Sequence, residues 1–219
     1  MKTEISKRIN TGLLLFLLLI LMFINKILYL FVSIVIFSLS FIEFSKLTKI
    51  IFKKKRIKQF LFNSIFVCYL FIFLLIFIFG LNDIHFKIIL FIILLICISS
   101  DIGGILFGKI FKGPKLIKIS PNKTISGSIG SFILSILTST ILLNYIFNTE
   151  IINNIFLGLT VSLSVQLGDL FFSYLKRKSS LKNTGNILPG HGGILDRVDG
   201  ILFGIPIGLI HILILVYTG

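Results

Sequence analysis

Three aspartates near the C-terminal end of the chain have the residue type and spacing to hold a divalent cation. Asp169 lies in an apolar run, and Asp196 and Asp199 are three residues apart with Arg197 between them. Carboxylate oxygens are the ligands that Mg²⁺ takes when it carries nucleotide phosphates. We predict that these three carboxylates hold a metal ion and that Arg197 contacts phosphate. In isolation, the Asp196–Asp199 pair is more typical of helix capping with local ion pairs, and the intramembrane Asp169 and the glycine-rich turn favour the metal site.

Asp169 also belongs to a polar series whose spacing places it on one face of a helix. Lipid cannot satisfy such groups, so this polar stripe must face other protein or a water-filled cavity. Lys176, at the end of the stripe, is predicted to act with the three aspartates in catalysis. A structural contact between helices is the alternative. The stripe, with separations of 4, 3, 4 and 3 residues, is Ser162, Gln166, Asp169, Ser173 and Lys176.

A glycine-rich turn lies between these two groups, from Pro189 to Gly193. Glycines allow positive φ and let backbone N–H groups approach a phosphate closely. His191, in the middle of the turn, is predicted to bind phosphate or shuttle a proton. The same sequence would also serve as an ordinary turn.

A second polar group occupies residues 99–130. Asp101 lies in an apolar run, and Gly104 and Gly108 have the spacing of a helix-packing motif. After them, the segment from Ser120 to Thr124, which includes Lys123, places hydroxyls and an ammonium just before a helix start. Such a turn favours anion binding. We predict that Ser120, Lys123 and Thr124 contact substrate phosphate.

The elements that must position these residues are membrane helices. Hydrophobic residues make up 56% of the 219 residues and the mean hydropathy is +1.07, which is typical of an integral membrane protein. We predict an all-α polytopic protein with about seven transmembrane helices, most of them near the 20 residues that a span needs. Cys68 and Cys97 are predicted to be buried thiols without a disulfide. The apolar runs cover 9–25, 27–43, 59–80, 86–107, 127–147, 151–174 and 200–217.

The basic residues set the predicted orientation. With the N-terminus in the cytoplasm, 20 of the 22 lysines and arginines lie on the cytoplasmic side, and only Lys26 and Lys87 lie outside. The net charge of +14 is therefore mainly an orientation signal and not a nucleic-acid surface. We expect a multi-pass protein of the cell membrane whose site faces the cytoplasm. Residues 1–98 supply membrane helices, and 99–219 form a catalytic region with cytoplasmic loops at 108–126 and 175–199.

The C-terminal motifs resemble the phosphatidate cytidylyltransferases, also called CDP-diacylglycerol synthases. The family signature orders a Ser, Lys-Arg, a second Lys, Pro-Gly-His-Gly-Gly and Asp-Arg-x-Asp. Two positions depart from the family pattern: Asn183 replaces the Asp that follows the second Lys, and Ser126, in an earlier segment, replaces the acidic residue just before the glycine that follows Lys-Thr. The signature is matched here by Ser173, Lys176-Arg177, Lys182, residues 189–193 and residues 196–199.

The resemblance implies transfer of CMP from CTP to phosphatidate, with Mg²⁺ and room for a second monovalent or divalent cation. Arg177, Lys182 and Ser173 would bind substrate phosphates. A homodimer is left open. The alternatives are a related CTP-dependent lipid transferase, a polyprenol kinase, and a non-catalytic transporter or lipid-binding protein.

Overall fold

The computed structural model describes residues 2–117, 120–187 and 192–218, and within them the chain is almost entirely helical. Each of the seven predicted apolar runs lies in a helix, which confirms the all-α polytopic class. One short β-hairpin interrupts the helices. The elements are α1 (Lys2–Ile24), α2 (Lys26–Ile51), α3 (Arg56–Asn82), α4 (Ile84–Phe111), β1 (Lys115–Ile117), β2 (Ser120–Thr124), α5 (Ile125–Phe147), α6 (Ile151–Lys178) and α7 (Leu195–Thr218).

Six of these helices, α2 to α7, are long and apolar enough to cross a membrane. The apolar part of α1 is shorter, Thr11–Ile24, so the number of full-length spans is one below the seven expected. Asn25 separates α1 from α2, because its side chain accepts hydrogen bonds from Ile27 N and Leu28 N and so caps α2. The predicted break at this point is confirmed. The second run does not stop at residue 43, and its helix continues to Ile51.

The two predicted loops are shorter than expected because helices extend into them. In the predicted loop 108–126, α4 continues to Phe111 and the hairpin of β1 and β2 follows, with Lys115 opposite Thr124. In the predicted loop 175–199, α6 continues to Lys178 and α7 begins at Leu195. Lysine and arginine are good helix formers, so a basic run at the end of an apolar helix does not stop it.

The chain divides into two compact units. Unit 1 comprises Met1–Lys87 and Leu175–Val198, and unit 2 comprises Ile88–Tyr174 and Asp199–Gly219. The division at residue 98, which rests on expected roles, stays a prediction. Both cysteines are free; Cys97 is buried as predicted, whereas Cys68 is exposed on α3 and that part of the prediction is wrong.

Unit 1 is packed largely by phenylalanines. The rings of Phe44 and Phe66 stack with centroids 3.9 Å apart, and Phe73 lies 5.5 Å from Phe37. Lys87 is also buried, and its ammonium donates to the carbonyl of Phe23, at the end of α1, at 2.6 Å. This bond ties the shortest apolar helix to the start of α4.

Unit 2 relies on glycine and serine for close helix contacts. A Cβ at Gly103 would collide with the carbonyl of Gly130, and one at Gly158 would collide with Ser139 and the backbone of Ile136. The chain contains no alanine, so these are the small residues that allow helices to approach closely.

Candidate functional site

Within unit 1, a buried ion pair joins the end of α6 to the start of α7. Lys176 Nζ lies 2.8 Å from Asp196 Oδ1, and the two side chains are only 14% and 9% exposed. The other carboxylate oxygen, Oδ2, accepts from the backbone N–H groups of Thr184 at 2.9 Å and Gly193 at 3.0 Å. Asp196 thus holds together α6, the connecting segment 179–194 and α7. Asp196 lies in the first turn of α7, which begins at Leu195.

A second carboxylate in unit 1, that of Glu43 on α2, holds the same connecting segment. Its side chain is buried, with 1% of the residue exposed. It accepts from Thr184 Oγ1 at 2.7 Å, Ile194 N at 3.1 Å and Leu195 N at 2.9 Å. Sequence reasoning missed this residue. The available signal was an acidic residue inside an apolar helix, which indicates a functional contact by default.

The glycine-rich turn is described only in part. Pro189, Gly190 and His191 lie outside the described residues, so the predicted role of His191 stays a prediction. Gly192 has φ +89°, which only glycine adopts easily. At Gly193, a Cβ would collide with the side chains of Thr184 and Glu43. The structure therefore requires glycine at both positions, at Gly192 for the backbone conformation and at Gly193 for the lack of space.

In unit 2, a more exposed ion pair joins the hairpin to α6. Lys123 Nζ donates to Asp169 Oδ2 at 2.7 Å, and the side chains are 28% and 22% exposed. Next to Asp169, two glycines allow α6 and α7 to approach closely. A Cβ at Gly168 would lie 2.6 Å from the carbonyl oxygen of Asp199, and one at Gly200 would lie 3.0 Å from Asp169 Oδ1. Asp169 and Asp199 are therefore brought to adjoining positions on two helices.

The base of the hairpin is fixed by hydroxyls. Thr124 Oγ1 accepts from Gly127 N at 3.1 Å and caps α5. Ser126 lies 3.1 Å from that hydroxyl and also accepts from Gly113 N at 3.2 Å. Ser126 therefore performs a structural task at the position where an acidic residue was expected. Ser120, at the opposite end of β2 from Thr124, pairs with Ile117 on β1.

The inner part of the polar stripe contacts other helices of unit 2. Ser162 lies 2.8 Å from Ser100 on α4 and accepts from Gln166 Nε2 at 3.3 Å. Gln166 in turn accepts from Ser128 on α5. The prediction that the stripe faces protein is confirmed for these residues, as a chain of hydrogen bonds through α4, α5 and α6.

The remaining predicted binding residues lie at polar ends of the helices. Arg177 lies in the last turn of α6, and Lys182 lies shortly after that helix. Arg197 lies in the first turn of α7. All three residues are exposed. Ser173 is half-buried on α6. Exposure suits residues that bind phosphate, and their role stays a prediction.

The predicted metal ligands fit Mg²⁺ in chemical type, because all three offer carboxylate oxygens. However, no group of three or more His, Cys, Asp or Glu is arranged to hold a metal within 2–117, 120–187 and 192–218. Asp169 and Asp196 are each bonded to a lysine instead. The ligand set therefore stays a prediction.

Comparison with known proteins identifies relatives of the chain. A phosphatidate cytidylyltransferase of Rickettsia bellii is 45% identical over 126 residues, 53% of this chain and 54% of the relative. That of Staphylococcus aureus strain COL is 46% identical over 120 residues, 53% of this chain and 45% of the relative. The chain thus spans about half the length of the curated relatives it matches. The cytidylyltransferase family matches residues 2–215, nearly the whole sequence, and the chain belongs to that family.

Proposed function

We propose that the protein transfers CMP from CTP to phosphatidate and releases pyrophosphate. Family membership supports nucleotidyl transfer, and the relatives named phosphatidate cytidylyltransferase support this lipid acceptor. The observation that carries the proposal is the contact of Lys176 with Asp196, two residues of the family signature, together with a second lysine–aspartate contact, that of Lys123 with Asp169. Such contacts supply both the cations that phosphates need and the carboxylates that a metal needs.

In the proposed reaction, a phosphate oxygen of phosphatidate attacks the α-phosphorus of CTP. The bond from the α-phosphorus to the bridging oxygen breaks, and pyrophosphate leaves with that electron pair. The attacking phosphate monoester is already anionic, so no strong base is needed. Catalysis then consists of positioning and charge neutralisation.

The residues divide into those that hold phosphate and those that hold the metal. Lys123 and Lys176 are fixed by their aspartates and would present ammonium groups to phosphates. Asp169, Asp196 and Asp199 are the carboxylates proposed to hold Mg²⁺, which when bound neutralises charge on the phosphates. Ser120, Thr124, Ser173, Arg177, Lys182 and Arg197 are the proposed further phosphate contacts, with His191.

We further propose that the protein lies in the cell membrane with its N-terminus and its site in the cytoplasm. The six long apolar helices support membrane insertion. The distribution of lysine and arginine supports the orientation, since basic residues favour the cytoplasmic side. CTP is present on that side and phosphatidate is in the bilayer.

Radiolabel placement tests the activity. The purified protein is incubated with phosphatidate, Mg²⁺ and CTP labelled at either the α- or the γ-phosphate. Transfer of the α label alone to lipid is expected. Transfer of the γ label would indicate a kinase, and transfer of neither would indicate a non-catalytic protein.

A pair of variants ties the activity to the site. Asp196→Asn is expected to lose transfer. Glu150→Gln is the matched control, because Glu150 is exposed and its side chain accepts a hydrogen bond only from Asn153 among the described residues. Equal turnover by Asp196→Asn and the wild-type protein would contradict the proposed site.

A further inference from the structure

Glu43 differs from the buried serines of α2. Ser40, three residues earlier, is also fully buried, but its hydroxyl donates to the carbonyl of Ile36 in the same helix. Glu43 instead receives all three of its hydrogen bonds from residues more than 140 positions away in the sequence. Its carboxylate therefore serves another part of unit 1 and not its own helix.

The connecting segment is shaped to receive this carboxylate. Gly185 and Gly193 both lie against it, and a Cβ at either position would collide with a Glu43 carboxylate oxygen. The donors surround the two oxygens: Thr184 Oγ1 and Leu195 N bond to Oε2, and Ile194 N bonds to Oε1. An apolar side chain could not replace this contact, because three donors would lose their acceptor.

Glu43 and Asp196 share the donors of a single helix start. Of three consecutive backbone N–H groups at the start of α7, that of Gly193 bonds to Asp196, and those of Ile194 and Leu195 bond to Glu43. Thr184 is held by both, through its N–H by Asp196 and through its hydroxyl by Glu43. Negative groups are stabilised at a helix N-terminus, where the first N–H groups lack partners within the helix.

We propose that Glu43 is a positioning residue for the reaction, an inference that rests on the proposed function. It fixes Thr184 and the backbone of Ile194 and Leu195 at the start of α7, and it thereby sets where the Asp196 carboxylate and Lys176 ammonium are held. With only 1% of the residue exposed, Glu43 acts through these groups and does not touch substrate. The structure thus assigns a role in the reaction to the N-terminal half of the chain.

The test compares Glu43→Gln with Ser40→Ala in the CMP-transfer assay. Glutamine keeps the size of the side chain, but its NH₂ group faces one of the backbone donors. At a temperature where both variants are folded, we expect kcat/KM of Glu43→Gln to fall about 10- to 100-fold, as for loss of residues that orient a ligand shell. The loss should fall mainly on kcat. Ser40→Ala, equally buried on the same helix, should retain wild-type kcat.

A second pair of variants tests the same contact from its other side. Thr184→Val removes the hydroxyl donor and should lower kcat in the same direction but by less, whereas Thr184→Ser restores the hydroxyl and should match the wild-type protein. Because both residues act through one contact, the double variant should lose less than the product of the two single losses. Amide hydrogen exchange of a peptide containing Ile194 and Leu195 should become faster in Glu43→Gln.

The outcomes separate this inference from the proposed function. If the wild-type protein transfers no CMP, the proposed function is wrong and the catalytic role of Glu43 with it. If the wild-type protein is active and folded Glu43→Gln keeps its kcat, only the inference is overturned, even where the melting temperature falls. Should Glu43→Gln not fold, equal kcat values for Thr184→Val and Thr184→Ser would overturn it.

Discussion

The two lysine–aspartate pairs consist of the same residue types, but the two aspartates differ in the number of hydrogen bonds that they accept and in their exposure. In unit 1, Asp196 accepts three hydrogen bonds, one from Lys176 and two from backbone, and its side chain is 9% exposed. In unit 2, Asp169 accepts from Lys123 alone among the described residues, and its side chain is 22% exposed. The Asp196 carboxylate thus holds two backbone N–H groups as well as a lysine, whereas the Asp169 carboxylate would break only one ion pair if it bound another cation. We therefore expect Asp196 to matter for both folding and activity, and Asp169 for activity alone.

Asp169→Asn should give the largest separation between activity and stability. Loss of a carboxylate that is proposed to hold the metal is expected to lower CMP transfer by more than about 100-fold, beyond the range for residues that only orient ligands. The free energy of unfolding should change by less than about 1 kcal/mol, as is usual for partly exposed ion pairs. Initial rates and thermal unfolding in detergent measure the two effects. A large loss of stability would show that this pair is as firmly built as that of unit 1.

Asp196→Asn should instead lower stability strongly. Breaking a buried pair by removing one charge leaves the other without compensation, which costs about 3 to 5 kcal/mol. Here the group that loses its aspartate partner is Lys176, only 14% exposed. Thermal unfolding of this variant beside Asp169→Asn gives the comparison directly. Equal melting temperatures would contradict the assigned difference between the pairs.

Gly193→Ala tests how tightly the unit 1 contact is packed. The added methyl would collide with Thr184 and Glu43, so we expect a destabilisation of about 1 to 3 kcal/mol, the usual range for overpacking. Gly12→Ala is the matched control, since its Cβ would meet nothing within 4 Å. Thermal unfolding is the measurement, and equal effects of the two substitutions would show that the segment relaxes freely.

Ser162→Ala should have the smallest effect. It removes the bond to Ser100 and the acceptor of Gln166 in unit 2, and hydrogen bonds between membrane helices contribute about 0.6 kcal/mol on average. Activity should stay near that of the wild-type protein, because Ser162 lies two helical turns before Asp169. A fall in CMP transfer comparable with that of Asp169→Asn would mean that the polar stripe takes part in the reaction.

The sequence predicted what depends on local pattern. The seven apolar runs became seven helices because apolar composition over such lengths leaves the backbone few alternatives in lipid. The break at Asn25 and the start of α7 near Asp196 followed from capping residues whose partners are two to three positions away. These are short-range effects that a single sequence displays.

The sequence did not predict contacts that join distant segments. In the sequence, Glu43 stands at the end of an apolar stretch, where charged residues commonly set membrane topology. Its partners Thr184, Ile194 and Leu195 are more than 140 residues away, so only the folded structure identifies them. The hairpin was missed for a different reason: its second strand, Ser120–Thr124, contains proline and asparagine and lacks alternating apolar residues. Its strands are so short that pairing, and not local preference, defines them.

The distance between Glu43 and its partners has a consequence for biosynthesis. Glu43 precedes Thr184 by 141 residues and Leu195 by 152. At about 5 to 20 residues per second, a ribosome needs roughly 7 to 30 s to make that stretch. During this interval α2 enters the membrane with an acidic side chain whose final donors have not yet been synthesised. The newly made chain therefore holds Glu43 without these donors until its C-terminal third is made, which makes the docking of the start of α7 onto α2 a late step of maturation.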